Sequence, residues 1–209
     1  MKVLIVGSGG REDAIAYKVK QSRLLSKLYC IPGNGGMAKK GEIIEGKVED
    51  VPEIAKDIGI DFIIVGPEAP LVSGIVDRCR PYNIPVFGPD ARGAQLEGSK
   101  VFAKNFMKKN NIPTADFYVA SSYEEAVKYI ETYGLKAIKA DGLAGGKGVV
   151  IPQDFDSARE ALYRFMVEKT LGKSGERVVL EDILVGREIS CFIITDGENY
   201  ILLPSAQDY

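Results

Sequence analysis

The residues with the clearest capacity for chemistry lie at 138–151, Ile-Lys-Ala-Asp-Gly-Leu-Ala-Gly-Gly-Lys-Gly-Val-Val-Ile. Two apolar runs enclose a loop with four glycines and a lysine. Backbone N–H groups there can crowd an anion with no Cβ in the way, which makes the loop a phosphate cradle. It does not fit the pattern G-x-x-x-x-G-K-[ST], because a match starting at Gly142 needs glycine where Lys147 stands. Val149, Val150 and Ile151 are β-branched and favour a strand over a helix after the loop. The pattern predicts strand, loop, strand: a flexible hairpin lid over a triphosphate. Lys139 on the incoming strand and Lys147 in the loop would supply two compact ammonium groups. The alternative is a mobile glycine hairpin whose lysines are merely solvated.

Three other loops carry similar chemistry. Gly7-Ser-Gly-Gly-Arg11 follows an apolar run at 3–6 and precedes Ala14, Ile15 and Val19 at helical spacing, so a helix N-terminus points at an anion site. The turn is similar to the dinucleotide fingerprint, but Glu12 stands at the third glycine position and the second strand, 27–31, ends in Pro-Gly-Asn where an acid would hold a ribose. NAD is therefore disfavoured, and Arg11 suits a phosphate monoester. Pro32-Gly-Asn-Gly-Gly36 and Gly66-Pro-Glu-Ala-Pro-Leu71 sit at the carboxyl ends of two strands, the edge where parallel sheets bind ligands. Glu68 there could accept a hydrogen bond from a sugar hydroxyl. Together the loops beginning near 7, 32 and 66 should line one crevice for a small phosphorylated ligand, although each alone is a common structural turn. Further on, Glu181 followed by apolar Ile183 suits an adenine, whose amine needs an acceptor and whose N1 needs an N–H donor, while Glu188 could take ribose hydroxyls.

These groups need elements to carry them. Strand-like runs at 3–6, 27–31, 62–65 and 86–87 alternate with helical segments near 50–58 and 72–80, the pattern of a parallel, doubly wound sheet. Residues 88–98 read as a connector with a short helical piece, which divides the chain into 1–98 and 99–209. Beyond it, Ser99 can cap a helix to 110 with Lys100, Lys104, Lys108 and Lys109 on a solvated face. A strand at 117–119, a capping box at Ser121-Ser-Tyr-Glu-Glu, and a helix with Ala126, Val127, Ile130 and Tyr133 buried come next. A helix at 156–168, a strand at 177–180, a long strand at 186–195, a turn at Asp196-Gly197 and a strand at 200–203 complete an α+β unit, with the lid spanning about 115–186.

Composition narrows the chemistry further. The chain has 209 residues, 45% of them hydrophobic, and a net charge of −2 with no dense basic block, which argues against a nucleic-acid surface. Histidine is absent, so the usual general base and zinc ligand are missing, and chemistry must run on carboxylates, lysines, arginines and bound metal. Cys30, Cys79 and Cys191 are scattered without a C-x-x-C, the pattern of buried, reduced thiols in a cytoplasmic protein. The apolar start is too short for a signal sequence and nothing approaches a membrane span, so no membrane partner is expected.

Gly7-Ser-Gly-Gly-Arg11, Pro32-Gly-Asn-Gly-Gly36, Gly66-Pro-Glu-Ala-Pro-Leu71, Gln95-Leu-Glu-Gly-Ser-Lys100, 138–148 and Ser205-Ala-Gln-Asp208 occur in this order. With them the whole chain resembles the phosphoribosylamine–glycine ligase family, the ATP-grasp glycinamide ribonucleotide synthetases of de novo purine synthesis. The resemblance implies a doubly wound N-terminal substrate domain followed by the first part of an α+β ATP-grasp domain. It implies that Lys104, Lys139, Gly145, Gly146, Lys147, Gly148, Glu181, Ile183 and Glu188 contact ATP, and that Gly9, Gly10, Arg11 and Glu68 face phosphoribosylamine. Glycine would be joined to that amine through glycyl phosphate. Asp13 stands where the family commonly has histidine and is given no role. The family's magnesium or manganese ligands are expected beyond Tyr209, since Asp141, Glu181, Glu188 and Asp208 form no close set. The 209-residue chain alone is accordingly expected to be inactive and to expose an apolar edge that favours association. The alternatives are another ATP-grasp ligase, a purine-pathway carboxylase, or a nucleotide-binding fragment without turnover.

Overall fold

The computed structural model of the chain describes residues 1–207, so Asp208 and Tyr209 lie outside the account that follows. The first sheet is parallel and built from β1 (Lys2–Gly7), β2 (Lys27–Pro32), β3 (Glu42–Ile43), β4 (Phe62–Val65) and β5 (Val86–Phe87), in the order β3-β2-β1-β4-β5. Its strands are nearly continuous apolar runs because both faces are covered. Val3 and Ile5 pack with Ala16 of α1 (Gly10–Val19) on one face. Leu4 and Val6 pack on the other with Val51 and Ala55 of α2 (Val51–Ile58). The doubly wound expectation is met.

Local chemistry explains where the elements differ from their expected bounds. The helix predicted at 72–80 is two, α3 (Glu68–Val72) and α4 (Ile75–Cys79), with Ile75 and Cys79 buried on the sheet. They are separated by Gly74 at φ +82°, a conformation glycine adopts without strain. α3 forms where a stiff loop was expected, since its only internal proline, Pro70, lies in the first turn, where an N–H has no helical partner to lose. β3 has two residues and gave no sequence signal.

The loops after β1, β2 and β4 do converge. Gly33 N–H donates to Gly7 O at 3.2 Å and Gly66 N–H to Val6 O at 3.0 Å. Glu12, 4% exposed, fills the space between them. Its Oε2 accepts from Gly9 N–H at 2.7 Å, and a Cβ at Gly66 would stand 2.5 Å from its Cγ and nearer still to Oε1.

The second half opens with α5 (Gln95–Gly98) and α6 (Lys100–Lys109), the latter capped by Ser99 Oγ accepting from Phe102 N–H at 3.1 Å. β6 (Phe117–Ala120), β7 (Ala137–Ala140), β8 (Val149–Val150) and β9 (Val178–Glu181) make an antiparallel sheet in the order β6-β9-β7-β8. α7 (Tyr123–Tyr133) and α8 (Phe155–Met166) cover it through Ala126, Ile130, Leu162 and Phe165, packed on Ile138, Ala140 and Leu180. The α7 cap is Ser122, whose Oγ accepts from Glu125 N–H, while the Glu125 carboxylate takes the N–H of Ser121 at 2.8 Å. Tyr133 is 63% exposed instead of buried: it ends α7 and leans on Tyr129, with ring centroids 4.7 Å apart.

Of the long strand expected at 186–195, only β10 (Ile193–Thr195) forms, paired with β11 (Tyr200–Leu202). Upstream of it the single bridge Ser190–Ala206 remains, for want of a neighbouring strand to supply a ladder. Ile193, Ile194, Tyr200, Ile201 and Leu202 are exposed, an open apolar hairpin. Cys191 lies on this exposed segment, which corrects its expected burial; Cys30 and Cys79 are buried. Among the described residues no helix is long and apolar enough to cross a membrane.

The packing around Glu12 yields a stability prediction. Gly66→Ala should lower stability by about 1–3 kcal/mol, because the buried Glu12 side chain cannot move away cheaply. Gly10→Ala, with nothing within 4 Å of its Cβ position, should change stability by less than about 0.5 kcal/mol. Urea unfolding midpoints of the two variants test the contrast.

Candidate functional site

In the second half, three of the predicted residues meet at one point. Glu181 ends β9, Lys139 lies beside it on β7, and Lys104 reaches across from α6. Glu181 Oε2 is 2.9 Å from both Lys104 Nζ and Lys139 Nζ. The carboxylate is 5% exposed and Lys104 7% exposed. Lys104 is thus not part of a solvated lysine face: its ammonium also donates to Thr114 Oγ1 at 2.7 Å and Ala115 O at 3.3 Å, and lies over the Phe117 ring. Spacing could not show this, because α6 turns that one lysine inward while Lys100, Lys108 and Lys109 stay less buried. Thr114 gave no signal in the sequence.

The glycine loop stands beside this cluster as a hairpin. Ile138 pairs with Val150 and Lys139 with Val149, and Ala140 N–H donates to Gly148 O at 2.8 Å. Gly145 and Gly146 have φ of +55° and +80°, and nothing lies within 4 Å of either Cβ position, so the loop tip offers bare backbone. Gly148 instead lies close against Ala144, where a Cβ would stand 2.7 Å from the alanine's own. Lys147 is exposed at the tip and makes no ion pair among the described residues. Its N–H closes the turn on Ala144 O at 3.0 Å. Ile183 and Glu188 follow β9 on an exposed segment, and Glu188 makes no ion pair or side-chain hydrogen bond among the described residues. The structure therefore groups Lys104, Lys139 and Glu181, leaves Lys147 free on the hairpin, and does not bring Glu188 into the cluster. Asp141, at the root of the loop, is a junction the sequence did not show: its carboxylate accepts from Ser99 Oγ, Val101 N–H and Arg177 Nη2.

In the first half, Gly9 and Gly10 form the N-terminus of α1, with Gly10 open to solvent. Arg11 lies over the loop edge, its Nε 3.0 Å from Glu12 Oε1 and its Nη1 3.0 Å from Glu68 Oε1. Glu12 chiefly, and then Glu68, raise the Arg11 pKa, so the guanidinium is a fixed positive charge. Glu68 is held below the ordinary carboxylate value, first by its own backbone N–H and next by Arg11. Arg11 and Glu68 are thus brought together as expected, although they bond to each other. Asn34 braces the crevice in a way spacing did not reveal, donating to Ser8 O at 2.8 Å and accepting from Gly36 N–H and Met37 N–H. Asp13, given no role, ties α1 to the same loop through Lys40 Nζ at 2.6 Å. Burial pushes the Cys30 thiol up to about 11, so it is no nucleophile. Among the described residues no three His, Cys, Asp or Glu side chains are grouped to hold a metal ion.

Comparison with known proteins matches the chain in two consecutive segments. Residues 1–97 match the family described as phosphoribosylglycinamide synthetase, N domain, and residues 98–209 match phosphoribosylglycinamide synthetase, ATP-grasp (A) domain. The phosphoribosylamine–glycine ligase of Clostridium acetobutylicum is 47% identical over 214 residues, covering 100% of this chain and 51% of the relative. The crystal structure of the phosphoribosylamine–glycine ligase of Thermotoga maritima superposes with a TM-score of 0.84 at 34% identity, covering 100% of this chain and 50% of that one. The biotin carboxylase domain of Hydrogenobacter thermophilus 2-oxoglutarate carboxylase, solved with MgADP, ADP and bicarbonate, superposes with a TM-score of 0.75 at 19% identity. It covers 98% of this chain and 49% of that one, and this likeness concerns the fold alone. The chain spans about half the length of the curated relatives it matches. With both halves matched in order, the chain belongs to the phosphoribosylglycinamide synthetase family.

Proposed function

We propose that this chain carries the amine-substrate domain, residues 1–98, and the nucleotide lid, within 99–209, of a cytoplasmic phosphoribosylamine–glycine ligase. The observation that carries the proposal is the pair of ammonium groups, Lys104 and Lys139, converging on one buried carboxylate at the foot of a glycine hairpin. Two lysines beside a cradle of bare backbone suit a polyphosphate, and they are already desolvated enough for each contact to count. Lys147 and the N–H groups of Gly145, Gly146 and Gly148 would close over the phosphates. Glu181 and the backbone at Ile183 would take the adenine, and Glu188 the ribose. Family membership and the MgADP held by a protein of the same fold support ATP as the nucleotide.

The reaction proposed is attack of the glycine carboxylate on the γ-phosphate, which breaks the bond to ADP and gives glycyl phosphate. The amine of phosphoribosylamine then forms the amide bond as phosphate leaves. Phosphoryl transfer of this kind needs alignment and charge neutralisation more than a protein nucleophile, consistent with a chain that has no histidine and whose Cys30 is a neutral thiol. The lysines would hold the phosphates in line, and the hairpin would shield the acyl phosphate from water. In the first half, the backbone at Gly9 and Gly10, where the Gly9 N–H is held by Glu12 and Gly10 is open, would with Arg11 take the phosphate of phosphoribosylamine, and Glu68 a ribose hydroxyl. Magnesium or manganese, when bound, would supply further positive charge to the phosphates. The described residues do not furnish a ligand set for either ion.

Two substitutions test these roles in the intact ligase. A charge-assisted phosphate contact contributes roughly 1.5–3 kcal/mol, so Lys139→Ala should weaken MgATP binding about tenfold or more in a calorimetric titration. Unchanged affinity would remove the lid from the nucleotide site. Arg11→Ala should raise KM for phosphoribosylamine and leave KM for ATP nearly unaltered, whereas equal losses for both substrates would point to damaged folding instead.

A further inference from the structure

Lys104 and Lys139 belong to different elements, and Glu181 joins them. A nucleotide whose phosphates draw the two lysines away from Glu181 would dissolve that joint at the moment the lysines must stay aligned. A second carboxylate, Asp141, connects α6 to β7 through contacts of its own, separate from that joint. It stands two residues after Lys139, is 8% exposed, and is the most heavily bonded acid around the loop. Its Oδ1 accepts from Ser99 Oγ at 2.7 Å and from Val101 N–H at 2.9 Å, and its Oδ2 accepts from Arg177 Nη2 at 2.5 Å. Its backbone adds two contacts, accepting from Lys100 N–H at 2.8 Å and donating to Arg177 O at 3.1 Å.

The partners explain the effect. Val101 is in the first turn of α6, where N–H groups lack helical acceptors and a negative charge is favoured by the helix dipole. Ser99 is the α6 cap and gives its own proton to Asp141 while accepting from Phe102 N–H. Asp141 therefore holds the N-terminal end of α6, and Lys104 stands on the next turn of that helix. We propose that Asp141 is a positioning residue that keeps Lys104 beside Lys139 while a nucleotide occupies the pair. The proposal rests on the nucleotide reading of the cluster given above.

A double-mutant cycle tests it on the intact ligase, with MgATP affinity measured by calorimetry. Asp141→Ala should weaken binding roughly tenfold where Lys104 is present, and by less than about twofold in a Lys104→Met background, because the effect passes through Lys104. Asp141→Asn keeps an acceptor for Ser99 and Val101 and should recover most of the loss. The same factor of loss in both backgrounds, or an Asn variant as damaged as the Ala variant, would overturn the proposal. If Asp141→Ala does not fold, Ser99→Ala enters the cycle in its place and should show the same dependence on Lys104 with a smaller loss.

Acylation of Lys104 by a small amine-reactive ester, mapped by mass spectrometry without nucleotide, gives a separate reading. Labelling of this buried lysine should rise several-fold in Asp141→Ala, and unchanged labelling would refute the positioning role whatever the nucleotide data show. Unchanged MgATP affinity in Lys104→Met alone would instead sink the nucleotide assignment, leaving the labelling result to decide the role of Asp141.

Discussion

A carboxylate removed from water must be surrounded by donors, and the second half of this chain is arranged around that requirement at Glu181. Left unpaired at 5% exposure, its charge would cost several kcal/mol. Lys104 and Lys139 answer it from two directions at the same distance, and in doing so they tie α6 to the β7–β9 ladder. The requirement is mutual, because Lys104 is buried as deeply as the acid it meets. Thr114 and Ala115 take up further N–H groups of Lys104, so the ammonium is satisfied on several sides. The outcome is a site with an excess of positive charge held in a low-dielectric setting, where an incoming anion is attracted more strongly than at the surface.

The first half meets the same requirement with Glu12. A dinucleotide-type turn commonly has a third glycine so that helix and strand can approach closely. Here the glutamate side chain turns inward instead, taking the N–H of Gly9 and an Arg11 N–H, and its volume presses on Gly7 and Gly66. Glycine at Gly66 is therefore a matter of room, since the space a Cβ needs is occupied by a buried carboxylate, and at Gly7 the same crowding adds to a φ of +129°. At Gly145 and Gly146 the cause is different: positive φ and open surroundings leave backbone N–H groups free for a ligand.

The two halves also differ in how completely they are covered. The parallel sheet has buried strands and helices on both faces, whereas the β10–β11 hairpin shows its apolar residues to solvent. Apolar residues on successive positions of a strand normally mark a sheet buried on both sides. The sequence of this hairpin is thus that of an interior strand pair, although its residues are exposed.

The sequence by itself determined the strands at 3–6, 27–31, 62–65 and 86–87 of the parallel, doubly wound first half, the glycine hairpin, and the convergence of the loops after β1, β2 and β4. Each of these follows from local chemistry: β-branched runs, glycine and proline punctuation, and the rule that parallel strands present their carboxyl ends to one edge. It also supplied six motifs in order, enough to place the chain beside its family. The tertiary structure decided which polar residues are partners. Lys104 looked like one of four solvated lysines, and Asp141 like part of a loop, until packing brought α6 against β7 and β9. Tyr133 fitted a buried stripe by spacing but stands beyond the reach of the sheet, and residues 186–192 have strand-like composition without a neighbour to bond. The physical reason is common to all four. Periodicity and propensity act along the chain, whereas burial of a charge, the end of a packed face and the pairing of a strand edge depend on residues distant in sequence that only the folded chain brings into contact.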